Sequence, residues 1–359
     1  MINDKRKYIL DLALDDLREF IISQDQPSFR AVQIWEWIYK KFAGSFDEMT
    51  DLPKKLRDRL NAEMVFNRLE PQIDLLSSDG WTRKILFNLS DKSQIETVLM
   101  GYEKRRTVCI STQAGCGLGC TFCATGQAGL QRNISAGEIT EQVLFFDRIL
   151  HKKSDRITNI VFMGMGEPFA NYKAVMKSVK ILTDPAGYNF GARRLTISTV
   201  GLVPIIKKFT EENSQVNLAI SLHAATNELR ETMLPINKKY PLEELIPACQ
   251  EYTEKTRRRI SFEWASINGV NDTSQQARLL VKLIKGMLCH VNLIPLNPTN
   301  GYDGKESNRD HIQKFCEILD RYGIPNTLRL RRGIDIHAGC GQLRQVNSAH
   351  RNISKQQNT

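Results

Sequence analysis

From residue 107 to residue 332 short apolar runs and longer helical patterns alternate without a break. TVCIST, ITNIVFMG, LTISTVG, VNLAISLH, RISFEWASI and HVNLIPLNP have the length and β-branched content of buried strands, and TLRLRR closes the series. Helical stretches lie between them: SAGEITEQVLFFDRIL, 172–184, a run from 203, SQQARLLVKLIKGML and RDHIQKFCEILDRYG. Ser135 and Glu138 have the spacing of a capping box at the first of these helices. About six βα units follow, and right-handed crossovers would lay them out as a parallel sheet or partial barrel. The expected fold class is therefore α/β, with its active site at the C-terminal ends of the strands. The polar and sulfur-bearing residues fall there: a cysteine loop after the first strand, GMGEP after the second, Ser198 late in the third, His223 ending the fourth and Asn297 ending the sixth.

The first 66 residues read as a small helical module. Ala31, Ile34, Trp35, Ile38 and Phe42 follow helical spacing, and a further helix is expected near Thr50–Asp51, ahead of Pro53. TRKILFNL and QIETVLM, joined by SDKS, read as a β-hairpin. The resulting division is 1–81 as an N-terminal helical accessory domain, 82–101 as the hairpin, 102–342 as the core and 343–359 as a flexible tail. No apolar run approaches the roughly 18 residues that a membrane span requires. With no cleavage-site pattern after MINDKRKYILDLALDDL, the expected location is cytoplasmic. There the eight cysteines point to metal or redox chemistry in preference to structural disulfides. The net charge of +10, concentrated in KRR at 104–106, RRR at 257–259 and RLRR at 329–332, suits a polyanion such as RNA and equally a merely basic soluble protein.

GCGLGCTFCATG places Cys116, Cys120 and Cys123 within eight residues. A structural zinc site wants four ligands. Thiolates are the usual ligands of iron–sulfur clusters, and a cubane held by three leaves one iron open to a small molecule. A zinc site completed by Cys109, or a plain electron-transfer cluster, are the alternatives. Gly164 and Gly166 in GMGEP would let a ligand approach backbone, and Glu167 brings an acid to the strand end, although an ordinary strand-to-helix turn reads the same way. Cys249, Cys289 and Cys316 have apolar neighbours and read as packing. Cys109 and Cys340, each taken alone, read likewise as buried small residues.

The Cys-x₃-Cys-x₂-Cys pattern with Phe122 before its last cysteine resembles the radical S-adenosylmethionine (SAM) superfamily. Taken in order, CISTQAGCGLGCTFCATG, FMGMGEP, NLIPLNP and RRGIDIHAGCGQL, behind a helical module, resemble the RlmN/Cfr family of RNA-methylating enzymes over nearly the whole chain. The resemblance implies a partial (β/α)6 radical-SAM barrel and one [4Fe-4S] cluster on Cys116, Cys120 and Cys123. It implies SAM, two consumed per methylation, held by Gly166, Glu167, Ser198, Ser221, Leu222, His223 and Asn297. It makes Cys340 the S-methylcysteine intermediate, Cys109 its partner in a transient disulfide, and Glu96 the proton acceptor. On sequence grounds Glu96 is an exposed acid of an alternating strand. The implied substrates are adenine-2503 of 23S rRNA, methylated at carbon 2, and adenine-37 of some tRNAs. The implied electron donor is flavodoxin or ferredoxin. Three readings compete: Cfr-type methylation of carbon 8, a radical-SAM enzyme with a small substrate, and a non-catalytic RNA-binding protein with zinc. The segment before Cys340 departs from many relatives, which have alanine in place of Gly339 and other residues for His337.

Overall fold

The computed structural model describes residues 6–329 and 331–343. The chain starts with β1 (Lys7–Tyr8), α1 (Leu14–Ser23), α2 (Phe29–Tyr39), α3 (Lys54–Glu63) and β2 (Met64–Val65). β1 and β2 pair in parallel and tie the ends of this module together. α2 buries Ala31, Ile34, Trp35 and Ile38 as its spacing requires, but it ends at Tyr39. Phe42 lies beyond it, in a left-handed conformation with φ 58°. α3 starts only after Pro53, whose extended ψ of 136° makes it the N-cap in place of Thr50 or Asp51.

β3 (Glu70–Leu76), β4 (Thr82–Asn88) and β5 (Gln94–Gly101) form an antiparallel meander. The expected hairpin is β4–β5. β3 adds a third strand whose EPQIDLL is mostly exposed and so carries little apolar signal. Next come β6 (Arg106–Cys109), β7 (Gln113–Gly115), α4 (Ala124–Gln127) and β8 (Leu130–Asn133), followed by α5 (Ala136–His151) and β9 (Asn159–Phe162). The core continues with α6 (Tyr172–Thr183), β10 (Leu195–Thr199), α7 (Val203–Glu211), β11 (Asn217–Ser221), α8 (Asn227–Met233), α9 (Leu242–Thr256) and β12 (Ile260–Ser266). It ends with α10 (Ser274–Ile284), β13 (Cys289–Pro295), α11 (Arg309–Arg321) and β14 (Asn326–Leu328). Ser135 caps α5 as expected: its hydroxyl accepts from the Glu138 amide at 3.2 Å, and the Glu138 carboxylate accepts from the Ser135 amide at 2.8 Å.

One ten-stranded sheet runs β14-β13-β12-β11-β10-β9-β6-β5-β4-β3. From β6 to β14 every pairing is parallel. Each helical crossover therefore steps one place along the sheet, which is the (β/α)6 order expected. The strands are covered on their outer face by helices, and the central ones are apolar enough to be buried on both sides: Leu218, Ile220, Phe262, Trp264, Val291 and Leu293 have no exposed surface. Residues 331–343 leave β14, at one edge of the sheet, and reach β4 and the β3–β4 turn near the other. There Asp335 accepts from the Ser78 amide at 2.7 Å and the His337 carbonyl accepts from Lys84 at 3.1 Å. The N-terminal module docks on α5 and α6, which add Leu144 and Ile181 to its apolar cluster. Among the described residues no helix is long and apolar enough to cross a membrane.

Candidate active site

The cysteine loop hangs between β7 and β8, whose pairing closes it at the base. Cys116 follows β7, and its amide donates to the Gly129 carbonyl at 2.9 Å. Cys123 precedes α4, and its amide donates to the Cys120 carbonyl at 3.2 Å. The three thiols share one electrostatic neighbourhood. Burial pushes Cys116 up to about 11, with the charges of Glu167 and Cys123 adding to it. Burial and then the charges of Cys123 and Cys116 push Cys120 higher. Three crowded thiols become thiolates together only around compensating positive charge, so the donor set fits a cluster of iron ions. Among the described residues no three His, Cys, Asp or Glu side chains form a ready-made single-ion site.

The GMGEP turn packs against β7. Gly166 has φ 100°, and a Cβ there would lie 2.5 Å from the Gln113 side chain, so this close approach needs glycine. Glu167 turns inward. Its carboxylate accepts from the amides of Phe169 and Val200, each at 2.9 Å, and its own amide donates to Gln113 at 2.8 Å. Burial raises its carboxyl to about 7 against those donors. The acid therefore clamps the turn onto the end of β10. This leaves backbone around Gly166 and Glu167 as what a ligand would meet.

Ser198 and Ser221 end neighbouring strands, with hydroxyls 3.4 Å apart. His223 lies two residues past β11 at φ 59°, and Leu222 between them is fully buried. The His223 Nδ1 accepts from the Ala265 amide at 2.9 Å, which puts the ring proton on Nε2. Burial, then the charge of Arg230, pushes its pKa down to about 3, so the ring is a neutral polar group. Its edge meets the Phe122 ring with centroids 5.0 Å apart, which joins the SAM-implied strand ends to the cysteine loop. Asn297, two residues beyond β13, donates to the Cys340 carbonyl at 3.0 Å, and its Oδ1 is buried with no partner among the described residues. A buried acceptor in that state suits a ligand carrying N–H or O–H donors, as SAM does.

Cys340 sits at the centre of the segment that crosses the sheet. Its carbonyl is held by Asn297. The next carbonyl, of Gly341, accepts from the Ala124 amide at 2.8 Å, directly after Cys123. Thr125 donates to Leu343 at 2.5 Å, and Gln342 donates to Pro298 at 3.0 Å. The backbone is pinned on both sides while Cys340 stays exposed. Although the residue keeps exposed surface, its thiol is packed closely enough by protein that desolvation raises it, Arg329 pulls it down, and Glu263 and Cys123 add to the rise. Cys109, at the end of β6, is raised first by burial and next by the charge of Cys340. The two thiols therefore lie within electrostatic reach of each other, and all eight cysteines are free. Glu96 is not the exposed acid that its alternating strand suggested. It is 1 % exposed and ion-paired with Lys84, at 3.0 Å.

Three polar residues of this region carry no motif. Arg230, fully buried on α8, donates to the carbonyls of Val200 at 2.6 Å and Leu222 at 3.2 Å and to Asn237 at 2.9 Å, and so fixes the loops after β10 and β11. Glu263 accepts from Asn292 at 2.8 Å and lies 3.6 Å from Arg329. Lys84 is the third. A charged residue inside an otherwise apolar run, as in SFEWAS or TRKILF, was the available signal. Of the basic clusters, Arg106 pairs with Asp155 at 2.7 Å and Arg332 with Asp79 at 3.8 Å. Leu330 of RLRR and nearly all of the tail at 343–359 lie outside the described residues.

Residues 8–66 match the family model described as the ribosomal RNA large subunit methyltransferase N-terminal domain, and residues 110–280 match the radical SAM superfamily. The dual-specificity RNA methyltransferase RlmN 1 of Myxococcus xanthus is 44% identical over 344 residues, covering 96% of each chain. The probable dual-specificity RNA methyltransferase RlmN of Geobacillus kaustophilus is 46% identical and covers 94% of this chain and 92% of its own. A crystal structure of a radical SAM methyltransferase from Sphaerobacter thermophilus superposes with a TM-score of 0.92 at 48% identity, covering 94% of this chain and 99% of that chain.

Proposed function

This chain belongs to the RlmN family of radical SAM RNA methyltransferases, and from that premise we propose that it methylates carbon 2 of adenine, at adenine-2503 of 23S rRNA and adenine-37 of some tRNAs, through S-methylated Cys340. The family implies SAM and a [4Fe-4S] cluster. Cys116, Cys120 and Cys123 would hold the one cluster, and the backbone at Gly166–Glu167 with Ser198, Ser221, Leu222, His223 and Asn297 would hold SAM.

Carbon 2 of adenine lies between two ring nitrogens and is electron-poor, so it does not attack an electrophilic methyl group. A thiolate does. Cys340 takes the methyl of a first SAM, forming a carbon–sulfur bond. When bound, the cluster and a second SAM supply the 5′-deoxyadenosyl radical. The S-methyl group of Cys340 gives up a hydrogen atom, and its carbon adds to the adenine ring. Glu96 accepts the ring proton. The unpaired electron left by radical addition passes to the electron carrier. The Cys109 thiolate then bonds to the Cys340 sulfur as the carbon–sulfur bond breaks, and the freed methylene takes a proton from solvent to become methyl. The disulfide that remains is reopened by two electrons from a reductant. Flavodoxin or ferredoxin would supply the electrons. An adenine in folded RNA must leave its stack to reach the strand ends, and the N-terminal module and basic clusters would hold the surrounding RNA.

The observation that carries this reading is the seating of Cys340. Its backbone is fastened between Asn297 and the residue after Cys123, the residue keeps exposed surface, and Cys109 lies within its electrostatic reach. The test is nucleoside analysis of 23S rRNA fragments and tRNA after reaction with the reconstituted enzyme. The expected product is 2-methyladenosine in both. 8-Methyladenosine would replace this reading with the carbon-8 alternative, and unmodified tRNA would confine it to ribosomal RNA.

A further inference from the structure

Lys84 is a cation placed where the fold has no need of one. It lies on β4 facing β5, and its side chain is only 7 % exposed. A methionine of similar length would fill that position without the cost of removing an ammonium from water. The ammonium touches two groups from different parts of the chain. It is 3.0 Å from Glu96 Oε1, and it donates at 3.1 Å to the carbonyl of His337, three residues before Cys340. His337 itself is held at φ 50°, a conformation that a residue with a side chain adopts only when its surroundings fix it. Glu96 is anchored as well. Its amide meets the Met165 sulfur at 3.3 Å, and its carbonyl accepts from Ser111 at 2.6 Å. Its backbone thus belongs to the wall formed by β6 and the GMGEP turn.

We propose that Lys84 is a positioning residue for release of the methylated base: it supplies the counter-charge to Glu96 and fastens the Cys340 segment above it, so that proton acceptor and methyl carrier meet the adenine as one unit. This rests on the reading of Glu96 as proton acceptor and Cys340 as carrier. A carboxylate that is to receive a proton must first hold its negative charge inside the protein, and an uncompensated buried carboxylate does not. When the ring proton moves from carbon 2 to the Glu96 carboxylate, that carboxyl becomes neutral. Lys84 then retains the His337 carbonyl, and Cys340 stays in register for attack by Cys109.

The experiment uses the full chain with its cluster reconstituted anaerobically, SAM, dithionite and a radiolabelled 23S rRNA fragment. The covalent protein–RNA adduct is followed on denaturing gels. Lys84→Met is expected to form the adduct and to release it at least ~100-fold more slowly than the unsubstituted enzyme, as Glu96→Gln does, within the range that a lost general base produces. Lys84→Arg is expected to restore release to within ~10-fold. Release from Lys84→Met at the unsubstituted rate would overturn the proposal. So would a complete lack of adduct in Lys84→Met and Lys84→Arg alike, since Lys84 would then only hold the fold. Should Lys84→Met be insoluble, the charge-free pair Lys84→Met with Glu96→Gln takes its place. The proposal expects that pair to form the adduct and to release it no faster than Glu96→Gln alone, because the His337 carbonyl also loses its donor, and faster release overturns it. An unsubstituted enzyme that forms no adduct, or a Glu96→Gln enzyme that releases normally, counts against the underlying reading instead.

Discussion

Glu141, where the N-terminal module docks on α5, and Glu96, beneath the Cys340 segment, are equally buried glutamates held in opposite ways. Glu141 is satisfied by neutral donors: the Tyr8 hydroxyl and the amides of Arg68 at 2.9 Å and Leu69 at 3.1 Å. Burial leaves its carboxyl at about 7. Glu96 faces a buried cation that also holds the carrier segment. The first arrangement closes a joint and leaves its carboxylate nothing further to bind. The second lies in a region where Asn297 Oδ1 and Glu263 Oε2 are buried without partners among the described residues. A joint whose charged groups are saturated gives stability, whereas a site with unmet acceptors is built to receive something.

The comparison breaks most sharply under substitution of Cys120 by serine. This variant should retain its joint and its secondary structure, yet lose the brown chromophore, the stoichiometric iron and all measurable methylation. Iron analysis and an anaerobic SAM-cleavage assay check it, and full iron loading would separate the cysteine loop from the chemistry. Next in size is Glu141→Ala. It leaves three donors at the joint without an acceptor and should cost about 3 kcal/mol in urea unfolding. Methylation per folded molecule should stay within ~2-fold, because the joint supplies no reacting group.

His223 gives a graded test of the strand ends. Its folded pKa of about 3 lies below the ordinary histidine value, so between the two the unfolded chain binds the extra proton. Its contribution is therefore fully present above pH ~6.5 and is lost as pH falls toward 3, by at most about 1.4 kcal/mol per pH unit. Unfolding of His223→Gln should lack that component, and its stability difference from the unsubstituted protein should change across this window. Parallel curves would mean that the ring is not held neutral. The smallest effect is expected from Gly339→Ala. A Cβ there would lie 2.6 Å from the Asn297 amide, but that amide ends a movable side chain. The loss should be at most about 1 kcal/mol, the value of one ordinary hydrogen bond, and SAM affinity is the measurement.

Much of the barrel was legible because strand and helix periods differ and each segment is long enough to show its own. Ser198, His223 and the GMGEP turn could be placed at strand ends for that reason. The cysteine loop was legible as chemistry from spacing alone, but the β7–β8 pair that closes it was not. Three- and four-residue strands of glycine, glutamine and arginine have no apolar alternation to read. β3 was hidden for the opposite reason, being a long strand with mostly exposed side chains. The environment of Glu96 was misjudged because alternation gives the face of a strand and not what covers it. The cover is a segment some 240 residues later in the chain, and only the fold brings Lys84 and His337 together.

The central claim is that Cys340 carries the methyl group. Its most direct test is peptide mass spectrometry of the anaerobically reconstituted protein after incubation with SAM. The account predicts one methyl group in place of the thiol hydrogen on Cys340 and on none of the other seven cysteines. An unmodified Cys340 in protein with an intact cluster and bound SAM would contradict it.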